Sequence, residues 1–301
     1  MTKAELYLNK PEYSLGDKVQ GTFKISHDGW FDKPVEVKPF FEVLGEEVST
    51  VIEKKTVTTT GTDGRPVTEE QQIPHTSKNT FFKKDLSSQL LTLGTLTSNG
   101  YILLEKGTKE IPFEFVLDYA SVMLETYDGT NVEIYYKLNI VIDKKPFLAL
   151  DTLKQLMFPV LGKKQNLQSN SVNKIEEDKL VRLNLKIDKD TISINDSLKG
   201  QIQITNSLRT PIKNVEVGLR GIERATADNL IVESDLQNIR TEVQGNWTIG
   251  DIRDFEIVLP VHIKKSFRGK FSEYYWEIIV KADLGSPTRQ DLLVKSRINI
   301  I

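Results

Sequence analysis

Apolar and polar residues alternate along most of this chain. The segments 19–25, 132–140 and 181–187 each place apolar residues at every second position. Successive side chains of a strand point to opposite faces, so each segment predicts a strand that buries one face and exposes the other. Short turn sequences such as Leu15-Gly16-Asp17 separate these segments. Many short strands joined by turns predict an all-β fold of antiparallel β-sandwiches.

Helical periodicity is scarce by comparison. Only two segments, 81–91 and 145–156, have apolar spacing compatible with a short helix, and we expect each to form one. The first half also contains a long excursion over residues 46–106. Its threonine-rich stretch 56–60, which leads to Asp63-Gly64, predicts a projecting hairpin.

The two halves of the chain repeat one another. Residues 13–25 match 192–204 position for position, with the turn aspartate and the strand glycine of the two segments coinciding. Further along, we match Val35 and Val37 with Val215 and Val217, 113–117 with 257–261, and 134–140 with 274–280. The alternation that any two sandwiches share is the competing explanation.

A duplicated unit of about a domain's length is the simplest account of this repeat. It predicts two tandem β-sandwich domains, residues 1–160 and 179–301. Residues 161–178 are polar and without periodicity, and they are predicted to be a linker.

Composition narrows the classes of partner. The 301-residue chain has a formal net charge of −2 and a sequence pI near 6.1, so no overall field attracts nucleic acid or anionic lipid. It contains no cysteine, which excludes disulfides and thiolate metal sites and suits a reducing compartment. No signal peptide or membrane span is recognisable in the sequence. We therefore expect a cytoplasmic protein that does not bind nucleic acid.

Residue patterns for catalysis or cofactor binding are missing from the sequence. The three histidines, His27, His75 and His262, have no second histidine or carboxylate at metal-ligand spacing. Glycine-rich phosphate loops and nucleophile elbows are also absent. The aromatic run 274–276 could stack a base or a sugar, but alternation in a strand would bury one or two of its members. We expect no enzyme activity, no cofactor and no metal site.

The segment 107–115 resembles a sequence pattern of a known protein family. It reads GTKEIPFEF and resembles the G-x-x-x-x-P-F-x-F pattern of arrestin N-domains. Residues 125–138, ETYDGTNVEIYYKL, are similar to a Glu-Ser-Tyr-x-Gly-x-Asn-Val-x-Leu-x-Tyr-x-Leu stretch of the vacuolar protein sorting 26 family. The last strands, from 269 onward, also resemble that family. The similarity is dense over 107–145 and 269–301 and patchy but collinear elsewhere.

This resemblance implies an arrestin-like fold and a role in membrane traffic. Members of the family are the arrestin-like subunit of retromer- and retriever-type cargo-sorting coats. They bridge a large α-solenoid subunit, a sorting nexin and cargo peptides, and they associate with endosomal membranes through these partners. The alternative is an α-arrestin-like adaptor, because 79–86 resembles that group, although the chain has no Pro-Pro-x-Tyr motif. A carbohydrate-binding or enzymatic sandwich is a third possibility.

The resemblance also implies a partner-binding site. The family's large-subunit contact maps to 263–270, a hairpin that is several residues shorter here than in the family. We expect the contact to use an exposed anchor, Phe267, surrounded by the cations Lys264, Lys265, Arg268 and Lys270. A solvated turn with a stray aromatic residue is the competing interpretation.

Overall fold

The protein is almost entirely β-structure in the computed structural model. The structure describes residues 2–28, 34–60, 65–118, 124–145, 152–162, 169–177, 181–206, 212–243, 247, 250–285 and 291–301. Strands make up 73% of it, and one short 3-10 helix, Ser87–Leu93, is found among the described residues. The predicted all-β class is therefore confirmed. The chain divides into two compact units, the first of Met1–Lys163 with Gly269–Phe271 and the second of Lys164–Arg268 with Ser272–Ile301.

The first unit contains twelve of the strands among the described residues. Their bounds are β1 Thr2–Leu8, β2 Tyr13–Ser14, β3 Lys18–His27, β4 Val35–Thr60, β5 Pro66–Asp85, β6 Thr95–Leu96, β7 Ile102–Leu104, β8 Gly107–Val116, β9 Tyr127–Asp128, β10 Val132–Lys145, β11 Thr152–Phe158 and β12 Val160–Leu161.

Two sheets form the body of this unit. One has the order β1-β3-β8, and the other has β11-β10-β4-β7-β6 with β5 paired to β4 and β9 to β10. All of these pairs are antiparallel, while the short pair β2–β12 is parallel. Buried side chains from both sheets belong to a single hydrophobic core. In this core, Phe41 of β4 meets Phe113 of β8 edge-to-face, with ring centroids 5.1 Å apart.

The second unit contains ten described strands. Their bounds are β13 Val172–Glu177, β14 Val181–Ile187, β15 Thr191–Ile192, β16 Ser197–Asn206, β17 Asn214–Ala227, β18 Leu230–Glu242, β19 Ile252–Val258, β20 Phe267–Arg268, β21 Ser272–Asp283 and β22 Leu292–Ile300. They form one sheet of order β13-β14-β16-β19 and another of order β15-β22-β21-β17-β18, with β20 paired to β21. The short pair β15–β22 is parallel, as the short pair β2–β12 is in the first unit.

The strand glycine of the repeat has the same neighbours in both units. Gly21 of β3 lies opposite Phe113 of the adjoining strand, and Gly200 of β16 lies opposite Phe255. A Cβ built on Gly21 would come within 2.5 Å of the Phe113 ring, and one on Gly200 within 2.7 Å of the Phe255 ring. In each unit the aromatic ring therefore occupies the space that a side chain on the glycine would need.

Strand registers correct part of the predicted repeat. In the sheets, Phe41 pairs with Ile140, and Val217 pairs with Val280. Ile140 and Val280 are equivalent if 134–140 matches 274–280. Val217 then corresponds to Phe41 and not to Val37. Phe113 lies opposite Gly21, and Phe255 lies opposite Gly200. Phe113 therefore corresponds to Phe255, two residues before its predicted match, Ile257. Both errors arose because alternate residues of a strand share one face and look alike in sequence. A match by alternation can therefore select a residue two or four positions away on the same face.

Three other predictions were wrong in detail. Residues 81–85 belong to β5, and only Ser87–Leu93 is helical, as a 3-10 helix. Thr152–Phe158 is a strand, and 146–151 lie outside the described residues, so the helix predicted for 145–156 is not found. In the predicted linker, Val172–Glu177 forms β13, which pairs with β14. Tertiary pairing overrides the weak local helical pattern in the first two cases.

The hairpin β4–β5 extends far beyond its sheet. Its strands have 26 and 20 residues, whereas strands in globular proteins usually have about 3–10. β4 pairs with β10 as far as Ser49, and residues 51–60 then pair with 66–75 of β5. At about 3.3 Å per residue these ten pairs span roughly 33 Å. We call residues 51–60 and 66–75 the arm; its tip, 61–64, lies outside the described residues.

The second unit has a short turn at the position of the arm. By the sheet register, Val51 corresponds to Ala227, the last residue of β17, and His75 corresponds to Leu230. Asp228 and Asn229 connect β17 to β18 with φ of 48° and 67°. Positive φ at both central residues identifies a type I′ turn, which suits a two-residue hairpin. The first unit therefore carries residues 52–74 where the second has two.

Candidate functional site

The segment predicted to bind a partner forms a short hairpin in the second half of the chain. Phe267 of β20 pairs with Tyr274 of β21, and Arg268 pairs with Glu273. The first unit contains the corresponding hairpin, in which Tyr127 pairs with Ile134 and Asp128 with Glu133. The interval of seven residues from Phe267 to Tyr274 recurs from Tyr127 to Ile134, so the two hairpins share one register.

Buried aromatic side chains hold the chain that enters the hairpin. The indole N–H of Trp276 donates to the carbonyl oxygen of Lys264 at 2.9 Å. The N–H of Lys264 donates to Oε1 of Gln237 at 3.3 Å, and the hydroxyl of Tyr274 donates to the same oxygen at 3.3 Å. Burial, followed by the nearby charge of Glu223, raises the pKa of Tyr274, so its hydroxyl keeps its proton at physiological pH. The backbone of Lys264 is therefore fixed on both sides.

A second pair of hydrogen bonds secures Ser266. Its N–H donates to the carbonyl oxygen of Ile300 at 2.7 Å, and its hydroxyl oxygen accepts from the N–H of Ile300 at 3.0 Å. Because β22 contains Ile300, the last part of the segment is attached to the sheet before β20 begins. The hairpin is pre-organised, so a partner would not need to order it on binding.

The predicted anchor, Phe267, is less exposed than we expected. Its side chain is half-buried and stacks on Tyr274, with ring centroids 6.4 Å apart and an interplanar angle of 19°. Lys264 and Lys265 are also half-buried. Arg268, in contrast, has 84% of its side chain exposed, and its Nε lies 4.0 Å from a carboxylate oxygen of Glu273.

Lys270 lies on a three-residue turn, Gly269–Phe271, that belongs to the first compact unit. The N–H groups of Lys270 and Phe271 donate to the carboxylate of Glu47 at 3.0 and 2.8 Å. Glu47 is fully buried, and its carboxylate also accepts from the side-chain amide of Asn79 at 3.3 Å. The backbone of the turn is thus held by a buried carboxylate, while the Lys270 side chain is exposed and its ammonium lies 5.0 Å from the centroid of the Phe271 ring.

Sequence reasoning did not find the residues that hold the hairpin. Gln237 follows a bulge in β18, where the register shifts opposite Gly221. A Cβ on Gly221 would lie 2.1 Å from the Tyr274 hydroxyl oxygen, so the glycine makes room for that hydroxyl to reach Gln237. The prediction that the run 274–276 alternates between faces is confirmed, because Tyr274 and Trp276 are fully buried. Their buried polar atoms indicated nearby partners, but the sequence could not name them.

A small cavity lies beside the entering chain. It has a volume of about 210 Å³ and is lined by Gln237, Asn238, Ile239, Pro260 and Ile263. β18, which supplies three of these residues, is the last strand of its sheet. The cavity is therefore next to a sheet edge.

The described residues provide neither a metal centre nor a membrane-spanning helix. None of the acidic or histidine side chains that the structure describes are grouped in threes so as to hold a metal ion. Within the described part of the chain, no helix combines the length and apolar character needed to cross a membrane. Nε2 of His75, one of the three candidate histidines, instead lies within hydrogen-bond distance of a carboxylate oxygen of Glu53, at 3.1 Å.

No protein-family model matches the chain, and no curated protein matches its sequence.

Proposed function

We propose that this protein is a non-enzymatic scaffold of a retromer- or retriever-like cargo-sorting coat. In this proposal it bridges a large α-solenoid subunit, a sorting nexin and cargo peptides, and it reaches endosomal membranes through those partners. The sequence resemblance over 107–145 and 269–301 supports the proposal, as does the all-β architecture with a repeated hairpin register.

The pre-organised β20–β21 hairpin is the observation that carries the proposal. Core hydrogen bonds hold its backbone at Lys264 and Ser266, while Arg268 and Lys270 extend into solvent. Phe267, which precedes Arg268 in the chain, contributes a half-buried ring. Fixed backbone, an aromatic ring and surrounding cations together favour an acidic protein face as the binding partner. In this proposal the α-solenoid subunit supplies that acidic face.

The test begins with purification of the full chain from its native organism and identification of any co-purifying α-solenoid protein. Association of the recombinant pair is then measured for the wild type and for the double variant Arg268→Glu/Lys270→Glu. Charges at the rim of an interface act mainly on the association rate, so we expect roughly a tenfold slower association at low salt and a smaller effect at high salt.

Arg240→Glu is the control for one such charge reversal, because Arg240 is an exposed cation of β18 outside the hairpin. It should leave association unchanged. If the hairpin variant and the control bind alike, the solenoid docks elsewhere. If no solenoid protein co-purifies and the bound proteins are ubiquitin ligases, the α-arrestin-like alternative replaces the coat proposal.

A further inference from the structure

The arm has a free strand edge on the β4 side. Beyond Ser49, which pairs with Val132, no described strand pairs with β4 on the side opposite β5. From Lys54 to Thr60, every residue except the half-buried Val57 is exposed. A two-stranded hairpin alone in water is only marginally stable, so additional strand pairing would stabilise the arm.

One hydrogen bond shows which residues point toward this edge. The N–H of Thr50 donates to the carbonyl oxygen of Asn131, next to β10, at 2.8 Å. Backbone groups of alternate residues point to the same side of a strand, and the only irregularity between β4 and β5 lies earlier, at Gly45/Glu46. Ile52, Lys54 and Thr56 therefore direct their N–H and C=O groups toward the free edge, while Glu53 and Lys55 direct theirs toward β5.

The two edges of the arm differ in their protection against strand addition. Pro66 and Pro74 lie on β5, and a proline has no N–H to donate to an added strand. Residues 51–60 of β4 contain no proline or glycine, and seven of the ten are Val, Ile or Thr. β-branched residues favour strand structure. The β4 edge of the arm is therefore open to a further strand.

The charges along this edge complement a second copy of themselves. Val51, Glu53, Lys55 and Val57 lie on one face of the strand because they are alternate residues. In an antiparallel pair with a two-fold axis at Lys54, each Glu53 lies opposite the Lys55 of the other copy, and each Val51 lies opposite a Val57. Opposite charges placed directly across a strand pair are stabilising. Within each chain, Oε2 of Glu53 also lies 3.1 Å from Nε2 of His75, so Lys55 of the other copy would share this carboxylate with His75.

Hydrogen-bond geometry selects this register. Residues whose backbone groups face the edge must pair with each other, so Ile52 pairs with Thr56 and Lys54 with its own copy. Glu53 and Lys55 then form the non-hydrogen-bonded pairs, in which side chains approach most closely. A two-fold axis at residue 53 or at residue 55 would also obey this pairing rule. The first would place Glu53 opposite Glu53, and the second would place Lys55 opposite Lys55.

We propose that the arm joins two copies of this chain by antiparallel pairing of their β4 edges around Lys54. The two Lys54 side chains, on the other face, each already have an intrachain partner, Glu70, at 3.2 Å, which offsets their mutual repulsion. About seven residues from each copy take part, with about six backbone hydrogen bonds. This small contact makes a weak, concentration-dependent dimer, independent of the proposed coat function.

Sedimentation velocity over a range of concentrations tests the proposal with charge variants of the full chain. Glu53→Lys and Lys55→Glu each create two like-charge pairs per dimer, and each should weaken self-association roughly tenfold. An equimolar mixture of the two variants restores both opposite-charge pairs, because one chain then carries two lysines and the other two glutamates. The mixture should associate as strongly as the wild type, and so should the double variant Glu53→Lys/Lys55→Glu.

Two controls separate edge pairing from damage to the arm. Glu69→Lys changes the charge of the arm as much as Glu53→Lys but lies on β5, away from the edge, and should not alter self-association. Replacing residues 52–74 by Asp-Asn, the turn of the second unit, should give a folded monomer. A wild type that stays monomeric at all concentrations would overturn the proposal. So would a dimer that survives either single change, or a mixture that associates no better than its components.

Discussion

Adding one methyl group at Gly21 should destabilise the first unit. The Cβ of an alanine would lie 2.3 Å from the carbonyl oxygen of Tyr7 and 2.5 Å from the ring of Phe113. Ordinary contacts begin near 3.4 Å, so one strand or the ring must move by about 1 Å. Tyr7 lies in β1, which is paired with β3 along its length, so that oxygen cannot move alone. Overpacking of this kind costs about 1–3 kcal/mol.

Alanine also reduces the entropy of the unfolded chain, which offsets about 0.4–1 kcal/mol where the backbone conformation is compatible. A net loss of about 1.3 kcal/mol remains, which corresponds to a fall in melting temperature of roughly 3–5 °C for a unit of this size. Urea unfolding and differential scanning calorimetry of Gly21→Ala measure it directly. Gly200→Ala should have a similar effect on the second unit, because its Cβ would lie 2.4 Å from the carbonyl oxygen of Lys186.

Gly218→Ala is the matched control for both changes. Gly218 is also a strand glycine, but its Cβ would have no neighbour closer than 3.6 Å. Its replacement should leave stability unchanged or raise it slightly. If Gly21→Ala melts within a degree of the wild type, or if all three variants fall equally, close packing against the glycine is not what excludes a side chain there.

Other changes have equally definite outcomes. Phe115 is 3% exposed and packs against Phe158, so Phe115→Ala should cost about 3–5 kcal/mol in urea unfolding. Burial alone would raise the pKa of Glu46, but hydrogen bonds from Lys137 and two further groups outweigh it and lower the pKa. The stabilisation from Glu46 is then complete above the ordinary glutamate pKa and disappears as pH falls through the lowered value. Glu46→Gln should therefore be destabilising near neutral pH and match the wild type in strong acid, as measured by melting temperature against pH. Phe267→Ala should lower the melting temperature, because the ring stacks on Tyr274, a core residue. An unchanged melting temperature would instead support the sequence prediction that Phe267 is an exposed anchor.

Much of the fold could be predicted from alternation because most strands bury one face. β14 shows the limiting case, since Val181, Leu183, Leu185 and Ile187 are all buried and the residues between them are not. β13 shows the opposite case. Five of its six residues are exposed, so no face is apolar, and its strand structure depends on pairing with β14. An edge strand without a buried face leaves no periodic signal.

The candidate site could be located from the sequence but not described. The cations and Phe267 are adjacent in the chain, so the resemblance was sufficient to select them. Their support depends on Gln237 and Trp276, which no local pattern connects with the hairpin. The buried carboxylate of Glu47 is more distant still, because its hydrogen bond with Lys270 spans 223 residues. Long-range hydrogen bonds of this kind follow from the tertiary fold and have no signature in a single sequence.

The position of the arm also bears on how this chain could have evolved. The two units share their strand glycine, their hairpin register and the buried strand pairs that precede the arm. A duplication of one ancestral unit would account for these shared features. The extension at 52–74 stands where the second unit closes with Asp228-Asn229, so a single insertion or deletion at a surface turn accounts for the difference. Such a change leaves the packing of both cores in place and is tolerated more easily than one inside a sheet. Selection could therefore alter the length and charge of the arm freely, and relatives with the same two cores would differ first in how, or whether, they self-associate.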